Sequence, residues 1–472
     1  MEKDSAGTHT HNRRLFVMTS LNARRSVRAC MVAAVASVAF ASIGAATALA
    51  KSGPTNQCSG SNITGQGANV MKIAEQSVFA PDFNTSANPD ACNGTQGTKG
   101  IPTVSYTASS SGIGLESWGV GGKAASFAPT NAFVVTEEPP NPTEKTEIEN
   151  NETTSGSVPN SVLTVPVVQE SISVIAHLPA GCTATSTSYP GRLVLANVTL
   201  EKIFLGTINS WSEIKDGGDV LTGAGCSSPI TRVVRLDSAG STHILKKYLN
   251  LIDSTAFLTE SSTTQTWNEI SEGPANTLWP KAAAVVRPAK TGDTAEVSKV
   301  AEVAGSIGYS SLANARANSA FVPPTGGKEE ATFWVPIQNN GVATKKEIFA
   351  DPSTDGDTAP SADANCAKTK YTNGKGTKFP PASTADTWQE VTSATKEKAY
   401  TLCGIAYELA LTKYSAYPST TEGEELTNVN FLNFVLESKT AGGQLLIENH
   451  DYEALPKSID KESVNGVKTI GF

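Results

Sequence analysis

The chain has 472 residues, 39% of them apolar and 17% charged, enough to bury one large core or two smaller ones, and two lobes are expected. Its formal charge of −8 becomes −12 without residues 1–50, which hold six Lys/Arg and two Asp/Glu. Nucleic acid and anionic membrane surfaces are poor partners for such a molecule, whereas a small anion held by oriented dipoles in a dry cleft is still permitted.

Residues 1–50 read as a secretory leader. Arg24, Arg25 and Arg28 precede an Ala-rich apolar run from Ala29 to Ala46, and Ala48-Leu49-Ala50 has the small-x-small form of a cleavage site. Met18 is a second candidate start. The mature protein is expected to be soluble, secreted or periplasmic, with no later run apolar enough for a stable membrane insertion. Six cysteines remain after the leader, namely Cys58, Cys92, Cys182, Cys226, Cys366 and Cys403. Three disulfides are expected in an oxidising compartment, and of the fifteen possible pairings proximity favours 58–92, 182–226 and 366–403. With no C-x-x-C pair and, after the leader, His only at 177, 243 and 450, neither a metal site nor a cofactor is expected.

From Gly65 the chain shows a loop, a helical stretch near Val70 to Phe79, and strand-like and Gly-rich segments up to Phe133. Residues 137–160 hold Glu137, Glu138, Glu144, Glu147, Glu149 and Glu152 among Pro, Asn and Thr, the composition of a solvated insertion. Ser161 to Leu178 alternates Val and Ile with polar residues and predicts one or two strands. Residues 322–395 are rich in Pro, Gly, Thr, Asp and Lys and read as too polar to build a core. Helices are expected over Ala399 to Leu411, where Leu402, Ile405, Ala406 and Leu409 share a face, and over Leu426 to Glu437.

Between these segments, Arg235-Leu-Asp-Ser-Ala-Gly-Ser-Thr242 carries the most chemistry. Val233 and Val234 end a β-like run, and Ile244, Leu245, Tyr248, Leu249 and Ile252 recur at helical spacing. Gly240 and Ser241 therefore stand where the first N–H groups of a helix are free to meet an oxyanion. Arg235 can add a forked, charge-assisted bond, with Asp237 holding the guanidinium in place. The competing reading is a Ser-capped helix beside an ordinary ion pair. His243 near Ser241 suggests a Ser/His pair, but no G-x-S-x-G elbow is present and no enzyme is expected.

The wider pattern bears on that choice. Gly65-Gln-Gly-Ala-Asn69, Tyr106-Thr-Ala-Ser-Ser-Ser-Gly-Ile-Gly114, Ser126-Phe-Ala-Pro-Thr-Asn131, Ile203-Phe-Leu-Gly-Thr-Ile-Asn-Ser-Trp211, Gly305-Ser-Ile-Gly-Tyr309 and Tyr452-Glu-Ala-Leu-Pro456 occur in order around the cradle. Together they resemble the substrate-binding proteins of phosphate ABC transporters, in the periplasmic binding protein type II superfamily, from about Gly60 to the C-terminus. The resemblance implies an α/β, two-lobed fold of open mixed sheets flanked by helices, with two interlobe crossings. Lobe 1 would take residues 51–165 (insertion 137–160) and 311–472 (insertion about 322–395), and lobe 2 residues 166–310. It implies capture of phosphate or a similar oxyanion by a monomer that delivers it to an ABC transporter permease. The implied ligand-binding residues are Asn69, Ser111, Asn131, Arg235, Asp237, Gly240 and Ser241. Three positions depart from the family pattern, with Asn131 where Asp is usual, Ala239 for Ser and Asn69 for Thr or Ser. These leave room for a sulfate-like or organic anion, or for a secreted structural or adhesive protein that has lost the ligand. Lys51 follows Ala50 where lipid-anchored members carry Cys, so no lipid anchor is expected.

Overall fold

The computed structural model describes residues 60–85, 88, 102–122, 131–150, 159, 161–186, 189, 191–216, 221–252, 258–260, 263–265, 267, 277–321, 331–339, 348–354, 361–373, 378–382, 385–394, 399–417 and 420–472. All of them belong to one unit, residues 55–472; the unit of residues 1–54, with the expected leader, lies outside the described residues. Among the described residues nine strands make the main sheet: β1 (Ile63–Gly67), β2 (Val104–Ala108), β3 (Phe133–Thr136), β4 (Val162–His177), β5 (Thr231–Arg232), β6 (Ser306–Ser311), β7 (Thr332–Val335), β8 (Cys403–Leu411) and β9 (Tyr452–Glu453). Their order is β2-β1-β3-β8-β4-β6-β5, with β7 and β9 also paired to β4. Parallel pairs (β1 with β2 and β3, β5 with β6) and antiparallel pairs (β8 with β3 and β4, β6 with β4) coexist, so the sheet is mixed.

The 16-residue β4 runs through both halves of this sheet. Val162 to Ser171 pairs with β8, and Ile172 to His177 pairs with β6. It is buried along nearly its whole length, as a strand covered on both faces must be. Pro166, which cannot donate to a ladder, sits where the pairing shifts register between Ala406 and Tyr407. The register also locates where the two halves of the sheet meet. Thr136, at the C-terminal end of β3, is level with Pro166 through Tyr407, while Ser311, at the C-terminal end of β6, pairs with Ile172. The carboxyl ends of two oppositely running sets of strands thus converge on the middle of β4, the place where open α/β sheets hold ligands.

Helices flank the sheet: α1 (Ser111–Ser117), α2 (Pro142–Asn150), α3 (Gly240–Ile252), α4 (Asp293–Glu302) and α5 (Glu422–Val435). Residues 69–83 form one irregular helix with 3-10, π and α turns. Two expected disulfides are formed, Cys182–Cys226 and Cys366–Cys403; Cys58 and Cys92 lie outside the described residues. Among the described residues no helix is long and apolar enough to cross a membrane.

Three expectations are corrected. The acidic stretch opens with buried Glu137 and Glu138 and then forms α2, whose first turn is capped by Asn141 and whose Ile148 enters the core beside Leu115 and Trp118; residues 151–158 lie outside the described residues. The polar segment contributes β7 to the sheet and the buried rings of Trp334 and Trp388, so a few aromatics outweigh its mean composition. Residues 403–411 form a strand rather than a helix, buried on both faces between β3 and β4. The expected C-terminal helix is α5, started by a Thr421/Glu424 capping box.

Candidate functional site

Arg235 follows a bridge between Val233 and Val286 and is carried to the converging strand ends. Its side chain is 2% exposed and almost fully engaged. Nε and Nη2 donate to the two oxygens of Asp237 at 3.0 and 2.6 Å, and Nη1 donates to Asp293 Oδ2 at 2.5 Å and to Ser241 Oγ at 3.1 Å. Burial opposes the charge on the guanidinium, and Asp293 and Asp237 more than reverse that, raising its pKa. Burial raises the pKa of Asp293, with Arg235 pulling the other way. Gly292, just before α4, adds an N–H to Asp237 Oδ1 at 3.3 Å.

The facing wall is built on α1. Ser110 caps that helix by accepting from the Ile113 N–H, which leaves Ser111 in its first turn. Ser111 Oγ donates to Glu137 Oε2 at 2.8 Å and accepts from the Gly240 N–H at 3.2 Å, while the Gly112 N–H reaches the Ser238 carbonyl at 3.3 Å. Gly240 is required here, because a Cβ on it would lie 1.8 Å from Glu137 Oε2 and 2.5 Å from Glu137 Cβ. Burial raises the Glu137 pKa to about 8, the Ser111 hydrogen bond opposing and Asp293 adding to it. Behind Arg235, Tyr309 Oη shares a 2.6 Å hydrogen bond with Thr242 Oγ1 and accepts from the Arg235 N–H, and the Tyr309 N–H meets Glu296 Oε1. Burial also holds Glu296 well above the usual carboxylate range.

Ser111, Arg235, Asp237, Gly240 and Ser241 are therefore gathered in one buried cluster. Asn69 stands at its border, where Oδ1 accepts from the Thr294 N–H at 3.4 Å and the side-chain amide lies against Gly292. The structure does not bring Asn131 there. It precedes β3, at the end opposite Glu137, and its Nδ2 donates to Ser117 Oγ at 2.6 Å, at the far end of α1. Glu137, Thr242, Asp293, Glu296 and Tyr309 were not singled out as ligand-binding residues in the sequence. A usable signal existed for two of them: Glu137 ends the Phe-Val-Val-Thr run, and Gly292-Asp293 opens a helical pattern. Beside the cluster a cavity of about 40 Å³ is lined by Glu137, His243, Lys247, Tyr371 and Tyr407 among others. His243 Nδ1 lies 3.2 Å from Glu138 Oε1 at its edge.

Chemically, the cluster presents a fixed guanidinium, two hydroxyls and the first-turn amides of α3, a helix of 13 residues whose dipole favours negative charge at this end. Ser241 is bonded to Arg235, while His243 faces Glu138.

A family model described as a PBP superfamily domain matches residues 64–360. Among curated proteins no relative matches. Solved structures do. A phosphate-binding protein from Stenotrophomonas maltophilia is 16% identical, with a TM-score of 0.53 and coverage of 85% of this chain and 92% of that one. The high affinity periplasmic phosphate-binding protein PfluDING, bound with phosphate, is 17% identical, with a TM-score of 0.56 and coverage of 87% and 99%. A human phosphate binding apolipoprotein is 18% identical, with a TM-score of 0.54 and coverage of 85% and 93%. At these identities the likeness establishes a shared fold.

Proposed function

The chain belongs to the PBP superfamily, and on that premise we propose that it is an extracytoplasmic solute-binding protein that captures inorganic phosphate or a related oxyanion without chemically changing it. One observation carries the reading: Arg235, held by Asp237 and Asp293, lies beside the first turn of α3 and opposite Ser111, where the strand ends of both halves meet. The anion takes the Gly240 N–H from Ser111 Oγ and draws on the Ser241 and Thr242 amides and on the one Arg235 N–H that Asp237, Asp293 and Ser241 leave over. Such donors act at contact distance in a water-poor site, so the net negative charge of the molecule hardly weakens them.

Ligand exchange requires the contacts between Ser111 and Gly240 and between Gly112 and Ser238 to part. The lobes would be residues 51–165 with 311–472, and residues 166–310, moving about the middle of β4. In this reading the leader is removed near Ala50, the monomer works outside the cytoplasmic membrane, and an ABC transporter permease receives the anion. Calorimetric titration of the purified mature protein with phosphate, sulfate and arsenate tests it. Saturable binding near micromolar, about −8 kcal/mol, is expected, and no heat with any of the three anions overturns the reading.

A further inference from the structure

The chain between β6 and β8 is fastened to both halves of the main sheet. β7 pairs with Val174 to His177 of β4, on the half that leads through β5 into α3, and Arg192 grips the same stretch through the Trp334 carbonyl and Asp351 Oδ2. Further on, the Cys366–Cys403 disulfide and the bond from Tyr371 Oη to the Gly404 carbonyl attach it to β8, which pairs with β3 and with the other half of β4.

Its last hairpin, Lys370–Asn373 with Val391–Ala394, comes back to α3. About two turns along that helix from Gly240, Lys247 donates through Nζ to the carbonyls of Gln389 at 2.7 Å and Val391 at 3.0 Å. Gln389 Nε2 in turn donates to the Pro139 carbonyl at 2.7 Å, just after β3. One turn nearer the cradle, Ile244 packs so closely on Gly404 of β8 that a Cβ there would stand 2.2 Å from Ile244 Cδ1. The helix whose first turn supplies the Gly240 and Ser241 amides is thus held along its length by groups of the opposite half, outside the anion cradle. A lysine suits the place, since an ammonium brings three donors and no acceptor to a pair of backbone carbonyls. Burial draws its pKa down to about 8, which leaves it charged at pH 7.

We propose that Lys247 is a positioning residue for anion binding: by clasping the carbonyls of Gln389 and Val391 it holds α3, and with it the cradle amides, against the other half of the molecule, and so slows departure of the anion. The proposal rests on the oxyanion-binding reading above. Exchange parts Ser111 from Gly240 and Gly112 from Ser238, and it must also draw Lys247 off its two carbonyls. Those last bonds form after the anion has entered the open cleft, so they act on koff and leave kon unchanged.

The test is stopped-flow measurement of phosphate association and dissociation at pH 7 with the wild-type protein, Lys247→Met and Lys247→Arg. Methionine keeps an unbranched apolar stem but donates nothing, and should raise koff about tenfold while kon stays within about twofold. Arginine restores charged donors, and the cavity of about 40 Å³ that Lys247 lines has room for its extra atoms. It should bring koff back to within about threefold of the wild type. A Lys247→Met koff within about threefold of the wild type, a fall in kon in its place, or a Lys247→Arg protein as fast as Lys247→Met overturns the proposal and leaves the oxyanion reading standing. Should Lys247→Met fail to fold, the wild-type Lys247 Nζ resonance, assigned by its loss in Lys247→Arg, carries the test. It should sharpen when phosphate is added, as the clasp shields the ammonium from water, and a resonance indifferent to phosphate overturns the proposal. No phosphate binding by the wild-type protein defeats the oxyanion reading itself, and the proposal with it.

Discussion

Ser111 and Gly240 stand 129 residues apart in the chain, yet the Gly240 N–H donates to Ser111 Oγ across 3.2 Å. The bond joins the first turn of α1 to the first turn of α3 and closes the space around Arg235. It depends on a bare Cα, because the Glu137 side chain lies against Gly240. Gly240→Ala should therefore displace Glu137 as a whole, costing about 1–3 kcal/mol of stability and lowering phosphate affinity; urea unfolding and calorimetry read the two effects.

Arg235→Ala should be costly in two ways. It removes the cation from the cradle, and it leaves Asp237 and Asp293 buried without their partner. A stability loss of about 3–5 kcal/mol is expected in urea unfolding, together with loss of measurable phosphate binding. Arg235→Lys should recover part of the stability but little of the affinity, since an ammonium cannot reproduce four bonds in fork geometry.

Stability should be greatest in mild acid. Burial raises Glu75 to about 8, Glu144 and Glu453 to about 7 and Asp451 to about 6, each above its unfolded value. Between the unfolded and folded pKa values the native state binds more protons, so their contribution is complete below about pH 4 and is lost as pH rises through 6 to 8. Lys246 and Lys247, lowered by burial to about 7 and 8, work in the opposite direction and only above about pH 7. Scanning calorimetry should therefore give a higher Tm at pH 5 than at pH 7.

Asn131→Asp should leave the preference between phosphate and sulfate unchanged. Its side chain is bonded to Ser117 and is remote from Gly240 and Arg235. Competition titrations check this, and a shifted preference would place Asn131 in the cleft.

The cradle was legible because Arg235, Asp237, Gly240 and Ser241 lie within one short turn that leads into a strongly periodic helix. Asp293 and Tyr309 join it only through tertiary pairing, as the Val233 N–H bonds to the Ile307 carbonyl and brings β6 alongside. No local pattern announces that. Glu137 was hidden by the acidic run around it, whose composition suggests solvent, although its place at the end of β3 is what buries it. Residues 403–411 misled for another reason. A strand covered on both faces loses its alternation, and Leu402, Ile405, Ala406 and Leu409 then satisfy a helical spacing by coincidence. Trp334 and Trp388 show the limit of mean composition, since single buried rings anchored segments that otherwise read as polar.

The most direct test of the account is the amide NMR signal of Gly240 and Ser241 during addition of inorganic phosphate. The account predicts large, saturable downfield shifts of both, following the same binding curve as calorimetry. Phosphate that binds without moving either amide would place the anion elsewhere and contradict the cradle at Arg235.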